Sequence, residues 1–321
     1  MSSVFTLFAR LGVLWLLLAA PAATANAACR VDLVSSVPIR LVNGHPLVTV
    51  MVNDKPATFI LDSGAERTLM GEDVARELDV ARDTWVASTV LGVGGYQERP
   101  NALPRSMRLG EVTLRRRTLT ADTSVTVGPL PISTAGGQQI AGLLGRDFLS
   151  PFDLDIDLPQ QRLTLYDVQG CSGRFLPWAM PYAAIPATTP VGSALVVPVV
   201  IDGHPLRALV DTGATSSLIA APGMYRLGLT PQMLASDAAG TASGIGPAAV
   251  FMRRHRFAEI RVGPDTTRDP MLWVATVRVV PIVDMLLGAD WLSARRVWLS
   301  FATKQVFVVA GVRTADVPLP R

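Results

Sequence analysis

Two stretches of the chain repeat one pattern of apolar and polar positions. Residues 52–65 and 201–214 align without a gap: each has an apolar segment, a short polar turn, a second apolar segment and then Asp-Ser/Thr-Gly-Ala. The turn residues, Asn53-Asp54 and Asp202-Gly203, favour the backbone dihedrals of a tight β-hairpin. Each stretch therefore predicts two antiparallel strands that end at an aspartate, Asp62 in the first copy and Asp211 in the second.

A second repeated motif lies later in each half. Leu143–Leu149 corresponds to Leu286–Leu292, and both copies begin with two leucines and a glycine. Short strand-like segments broken by glycine and proline fill most of the remaining sequence, with helical patterns at Glu72–Leu78 and Ala289–Ala294. Because the whole pattern occurs twice, it predicts a mainly β protein made of two lobes.

Proline content sets the expected boundary between the lobes. Residues 171–190 contain four prolines and predict an irregular connector. The first lobe is therefore expected at residues 28–170 and the second at residues 191–312, followed by a tail at residues 313–321.

The N-terminal sequence predicts export. Arg10 precedes an apolar stretch, and Ala25-Asn26-Ala27 resembles a signal-peptidase site, so residues 1–27 are expected to be removed as a secretory signal. An uncleaved membrane anchor is the alternative, because the stretch approaches the length needed to span a bilayer. We expect a periplasmic or secreted protein without stable membrane insertion after cleavage. In such a compartment Cys29 and Cys171 are predicted to form a disulfide, with two unrelated thiols as the alternative.

Charge and histidine content argue against other functions. The formal net charge is only +3 and no dense basic run occurs, which argues against nucleic acid as a partner. His45, His204 and His255 are scattered without the spacing of metal ligands, so no metal site is expected.

The flanks of the two Asp-Ser/Thr-Gly motifs indicate chemistry rather than ordinary turns. Asp, Ser, Thr and Gly all suit a β-turn, but Phe59-Ile60-Leu61 and Ala208-Leu209-Val210 would carry both carboxylates into the interior. Burying a charge is costly unless the group is paired or functional. The sequence therefore favours Asp62 and Asp211 as members of one site.

These motifs resemble the retropepsin-like aspartic peptidases, in the two-lobed single-chain arrangement of pepsin and of the secreted or periplasmic bacterial kind. The residues that carry the resemblance are Asp62–Ala65, Asp211–Ala214, Leu143-Leu144-Gly145 and Leu286-Leu287-Gly288. The resemblance implies two homologous β-barrel-like lobes related by a pseudo-twofold axis, with the active-site cleft between them. It further implies an endopeptidase in which Asp62 and Asp211 share a proton and activate a water molecule. No cofactor is needed, the partner is a protein or peptide substrate, and a monomer is expected because both halves lie in one chain.

The resemblance also implies roles for neighbouring residues. Gly64 and Gly213 let the two aspartate loops approach each other, and Ser63 and Thr212 are expected to hydrogen-bond across the axis. Gly94, Gly95 and Tyr96 lie in a glycine-rich segment that resembles the family's mobile flap, with an ordinary hairpin as the alternative. Gly240–Gly246 occupies the corresponding place in the second half, either as a second flap or as a surface loop.

The residue after each Asp-Ser/Thr-Gly motif bears on the expected working pH. Ala65 and Ala214 stand where pepsin-like relatives commonly have a hydroxyl that would stabilise the charged carboxylate and lower its pKa. We therefore expect cleavage to extend to weakly acidic or near-neutral pH. A non-catalytic protein that holds peptide in the same cleft is the alternative function, because a fold alone does not establish activity.

Overall fold

The computed structural model of the protein describes residues 28–114, 124–279 and 282–309. The predicted signal peptide at residues 1–27 and the tail at residues 313–321 lie outside the described residues. Strands dominate the described chain, which confirms the predicted mainly β class. Within these residues, no helix is long and apolar enough to cross a membrane.

The first half consists of many short strands and two short helices. Its strands are β1 (Arg30–Pro38), β2 (Arg40–Val42), β3 (His45–Val52), β4 (Lys55–Leu61), β5 (Leu69–Met70), β6 (Ala81–Gly92), β7 (Gly95–Leu103), β8 (Met107–Leu109), β9 (Val112–Thr113), β10 (Val125–Val127), β11 (Thr134–Ala135), β12 (Gln138–Gln139), β13 (Gly142–Leu144), β14 (Asp153–Asp157) and β15 (Arg162–Gln169). Its helices are α1 (Glu72–Glu77) and α2 (Arg146–Leu149).

The second half likewise consists of short strands and two short helices. Its strands are β16 (Tyr182–Pro186), β17 (Val196–Ile201), β18 (His204–Val210), β19 (Leu218–Ile219), β20 (Ala238–Ala242), β21 (Val250–Arg256), β22 (Glu259–Val262), β23 (Asp265–Arg268), β24 (Met271–Val274), β25 (Met285–Leu287), β26 (Arg296–Ser300) and β27 (Gln305–Val309). Its helices are α3 (Ala221–Arg226) and α4 (Ala289–Leu292). The predicted helices at Glu72 and Ala289 are confirmed, whereas α2 and α3 were not predicted.

The two halves fold into sheets with the same strand order. The first sheet runs β6-β7-β10-β5-β13-β4-β3-β8-β9, with β2 against β3, and the second runs β20-β21-β24-β19-β25-β18-β17-β22-β23. Each strand along the first path has a counterpart at the same position in the second. The repeat seen in two sequence motifs is therefore a repeat of the whole half.

The predicted hairpins form around the predicted turns. Asn53 and Asp54 have positive φ values of 49° and 65° between β3 and β4. Asp202 and Gly203 have positive φ values of 47° and 81° between β17 and β18. Two successive residues with positive φ are the geometry of the turn that best matches the twist of paired strands. These turns fix the register that brings each aspartate to the end of a buried strand.

A six-stranded sheet joins the two halves. Its order is β1-β15-β14-β26-β27-β16, so three strands from each half meet at the antiparallel pair β14–β26. Strand β16 lies within the predicted connector, which was expected to be irregular. The prolines do not prevent this strand because Pro181 precedes it, Pro186 ends it, and it pairs on one side only, with β27.

The joining sheet carries an aromatic core cluster of its own. Trp298 is fully buried there, and it stacks on Tyr166 and contacts Phe175 and Trp178 edge-on. On the same sheet, β1 pairs antiparallel with β15, which brings the residue before β1 close to the residues after β15. Cys29 and Cys171 form a disulfide at that end, so the bridge closes the edge of the joining sheet.

Candidate active site

Asp62 and Asp211 each follow the last residue of a buried strand. The Asp62 N–H donates to the carbonyl of Leu144 at 3.0 Å, and the Asp211 N–H donates to the carbonyl of Leu287 at 3.0 Å. In each half the repeated Leu-Leu-Gly segment runs parallel to the strand that carries the aspartate. The second repeated motif thus holds the first in place.

A further aspartate anchors the far end of each loop. Asp147 accepts hydrogen bonds from the backbone and hydroxyl of Thr68 at 3.0 and 2.7 Å, and Asp290 accepts the equivalent bonds from Ser217, both at 2.8 Å. Sequence reasoning included both aspartates in the repeated motif but gave them no role. Their recurrence at matching positions was the available signal.

The two aspartate carboxyls have equivalent backbone donors. Asp62 Oδ1 accepts from the N–H groups of Gly64 and Ala65 at 3.0 and 2.8 Å. Asp211 Oδ1 accepts from those of Gly213 and Ala214 at 3.0 and 3.1 Å. The alanines lack the hydroxyl considered in the sequence analysis, but their amides do contact the carboxylates.

Glycine is required where the loops approach each other. A Cβ on Gly64 would lie 2.4 Å from Cγ of Asp211, and a Cβ on Gly213 would lie 2.4 Å from Cγ of Asp62. Each glycine therefore packs against the carboxyl group of the opposite half. This contact brings Asp62 and Asp211 together.

Ser63 and Thr212 connect the loops across the pseudo-twofold axis. The Ser63 N–H donates to Thr212 Oγ1 at 2.9 Å, and the Thr212 N–H donates to Ser63 Oγ at 3.1 Å. Each hydroxyl then donates to the opposite strand, Ser63 to the Val210 carbonyl at 2.8 Å and Thr212 to the Leu61 carbonyl at 2.6 Å. Four buried hydrogen bonds thus hold the two halves in register at the site.

The electrostatics of the pair favour one shared proton. Burial raises the pKa of Asp62, against the opposing effects of its backbone donors and of Arg146. Burial and the neighbouring charge of Asp62 raise the pKa of Asp211 to about 8. Two carboxyls that hold one proton can provide both a general base and a general acid to a water molecule and its target.

The pair lines a cavity of about 670 Å³ that both halves enclose. Most of its wall is apolar, with side chains such as Ile60, Leu143, Leu209 and Leu286. The cavity is large enough for several side chains of an extended peptide.

Two hairpins line the same cavity and meet at their tips. They are β6–β7 from the first half and β20–β21 from the second. The Gly94 N–H donates to the Ile245 carbonyl at 2.9 Å, and the Ala248 N–H donates to the Gly94 carbonyl at 3.2 Å. The loop at Gly240–Gly246, left open by the sequence, therefore belongs to a second hairpin that touches the first.

The three predicted flap residues differ from one another in their positions. Gly94 lies at the contact between the hairpins, and Gly95 next to it has a positive φ of 107°. Tyr96 is 70% exposed and does not lie among the residues that line the cavity. The expectation that Tyr96 leans on substrate or on the aspartates has no support in this arrangement, because strand alternation turns its side chain outward.

Sequence reasoning gave no role in the site to three basic residues that line the cavity, His45, Arg67 and Arg146. The side chain of Arg146 is 4% exposed, and burial lowers the pKa of His45, which favours its neutral form. The available signal was a difference between the repeats, since Ala289 occupies the position of Arg146 in the second half.

Two β lobes that each contribute an aspartate to one cavity are the arrangement of aspartic peptidases. Family models match both halves of the chain: "Aspartyl protease" matches residues 48–148, and "gag-polyprotein putative aspartyl protease" matches residues 197–294. The chain belongs to the aspartic peptidases and is a hydrolase of peptide bonds.

A solved structure shows the same fold. The chain is similar to the aspartic proteinase from Irpex lacteus, with a TM-score of 0.50 and 13% sequence identity. The likeness covers 87% of this chain and 98% of that one, so it extends over both lobes. A search of curated proteins found no match.

Proposed function

We propose that the chain is an endopeptidase whose catalytic pair is Asp62 and Asp211. The observation that carries this proposal is the contact of two carboxyls, each presented by an equivalent loop, within one cavity. In this mechanism the ionised aspartate takes a proton from a water molecule, which attacks the peptide carbonyl. The protonated aspartate stabilises the developing oxyanion and then supplies a proton to the leaving nitrogen.

We also propose that the substrate is an extended or unfolded segment of an extracytoplasmic protein. The hairpins meet over a cavity lined by both halves, which suits a single extended chain better than a folded surface. The Cys29–Cys171 disulfide is typical of oxidising compartments and supports export together with the predicted signal sequence. Both halves of the site lie in one chain, which supports a monomeric enzyme.

The test is turnover of an unfolded protein by Asp62→Asn and Asp211→Asn variants. Each change keeps the side-chain volume but removes a group that must exchange a proton, so we expect cleavage to be abolished in both. The double variant should be hardly worse than either single variant, because both residues act on one water molecule. Asp73→Asn is the matched control, since Asp73 is an exposed residue of α1 in the first half.

Thermal melts separate catalysis from folding in this experiment. If either single variant melts normally and keeps near-wild-type turnover, the two aspartates do not form one catalytic pair. If the wild-type protein binds unfolded peptide without cleaving it over a broad pH range, the cleft is a peptide-binding site instead.

A further inference from the structure

Arg146 is a buried cation beside the aspartate pair. It begins α2, and its backbone N–H donates to the carbonyl of Ala65 at 2.9 Å. Its side chain folds back over the same loop, with Nη2 3.5 Å from the carbonyl of Gly64 and Nη1 3.4 Å from that of Val191. Arg146 therefore contacts the loop of Asp62 through both backbone and side chain.

The neutral partners of Arg146 do not satisfy its guanidinium group. Both hydrogen bonds are near the upper limit of length, and the buried Nε has no partner among the described residues. A buried cation is retained at low cost only where opposite charges compensate it. Burial lowers the pKa of Arg146, and Glu66, Asp62, Asp211 and Asp147 oppose that effect, in this order of strength. Arg146 in turn lowers the pKa of Asp62, against the effect of burial.

The second half offers no equivalent cation. Ala289 occupies the position of Arg146, and Thr215 occupies that of Glu66. His45, another residue that lines the cavity, is favoured in its neutral form because burial lowers its pKa. Among the described residues that line the cavity, the charged groups besides the pair are Arg146, Glu66 and Arg67, all from the first half, so the charge around the pair is asymmetric.

We propose that Arg146 is a positioning residue that keeps the negative charge on Asp62 and leaves the shared proton on Asp211. This inference rests on the proposed catalytic pair. It assigns the general base to the first half and the proton donor to the second. The order of charges would then be fixed before substrate binds, with the cation on the loop of the aspartate that must be ionised.

Two variants separate the charge of Arg146 from its hydrogen bonds. Arg146→Gln keeps donors but removes the charge, and Arg146→Lys keeps the charge. We expect the acidic limb of the profile of kcat/KM against pH to move upward by about one pH unit in Arg146→Gln, because the cation no longer favours ionised Asp62. Arg146→Lys should restore most of that shift. A merely structural role would change amplitude or stability without this pattern.

Carboxyl NMR of the wild-type protein tests the inference even if Arg146→Gln does not fold. Between the two titration steps, the Asp62 carboxyl should show the shift of an ionised group and Asp211 that of a protonated one. The opposite assignment, or an acidic limb that is unchanged in a folded Arg146→Gln variant, would overturn the inference. Loss of turnover in Asp62→Asn and Asp211→Asn would still support the catalytic pair in that case, so the two failures are distinguishable.

Discussion

Replacing Thr212 with valine tests the connection between the two aspartate loops. Valine keeps the shape of threonine but removes the hydroxyl, which accepts from the Ser63 N–H and donates to the Leu61 carbonyl. Thr212 is 1% exposed, so water cannot replace the lost partner. Each buried group left without a partner costs about 1–3 kcal/mol, and two groups lose theirs, so Thr212→Val should lower the free energy of unfolding by about 2–6 kcal/mol.

Thr212→Ser is the matched control because Ser63 performs the same role in the other loop. Serine keeps the hydroxyl and loses one methyl group, which costs about 1 kcal/mol. Urea unfolding should therefore show a lower midpoint for Thr212→Val than for Thr212→Ser, with an unchanged slope. Turnover should fall in the valine variant as well, because the loops hold the carboxyls in register. If valine and serine variants were equally stable, the cross-axis hydrogen bonds would contribute nothing measurable and the reasoning would be wrong.

Two further predictions concern the hairpins and the titration of the pair. A Cβ on Gly246 would lie 2.3 Å from the carbonyl carbon of Gly94, whereas one on Gly95 would meet nothing, although both glycines have a similar positive φ. Gly246→Ala should therefore separate the hairpins, speed hydrogen exchange of the Gly94 amide and lower kcat/KM. Gly95→Ala is the control for backbone strain. If both variants lowered kcat/KM equally, the contact between the hairpins would have no role. The raised pKa of Asp211 means that the folded protein keeps this proton as pH rises from about 4 to about 8 while the unfolded chain loses it. The protonated Asp211 therefore stabilises the folded state fully below pH 4, and this contribution is lost between about pH 4 and about pH 8. In melts at matched pH, Asp211→Asn should be more stable than wild type between pH 5 and pH 8, and the difference should grow with pH. A difference that does not grow with pH would contradict the raised pKa of Asp211.

The features that could be predicted from the sequence are local or repeated. Asn53-Asp54 and Asp202-Gly203 carry their turn geometry in their own backbone preferences, and the strands that follow them end in buried apolar residues. Because the motif is repeated, the sequence alone identified Asp62 and Asp211 as equivalent residues of the two halves. Sequence alone could predict this part of the site because each half contains its own copy.

Features that depend on the approach of distant segments could not be predicted in this way. The strand at Tyr182–Pro186 exists because β27 lies beside it, and its proline content alone predicted a connector. The contact of Gly94 with Ile245 likewise joins two glycine-rich loops whose approach the sequence does not predict, although they occupy corresponding places in the two halves. The role inferred for Arg146 required its burial and its neighbours, since an arginine in a repeated motif is equally compatible with an exposed side chain.

The fusion of both halves in one chain has a chemical consequence for the site. Two identical subunits related by an exact twofold axis would present the same residues to both aspartates, so neither carboxyl would differ from the other before substrate binds. In this chain the loops, glycines and cross-axis hydrogen bonds remain equivalent, because both carboxyls must be held at the same place. The residue that follows Leu-Leu-Gly differs instead, as Arg146 in one half and Ala289 in the other. A single chain can therefore keep the geometry symmetric while making the charge distribution asymmetric, which is what a reaction with one base and one acid requires.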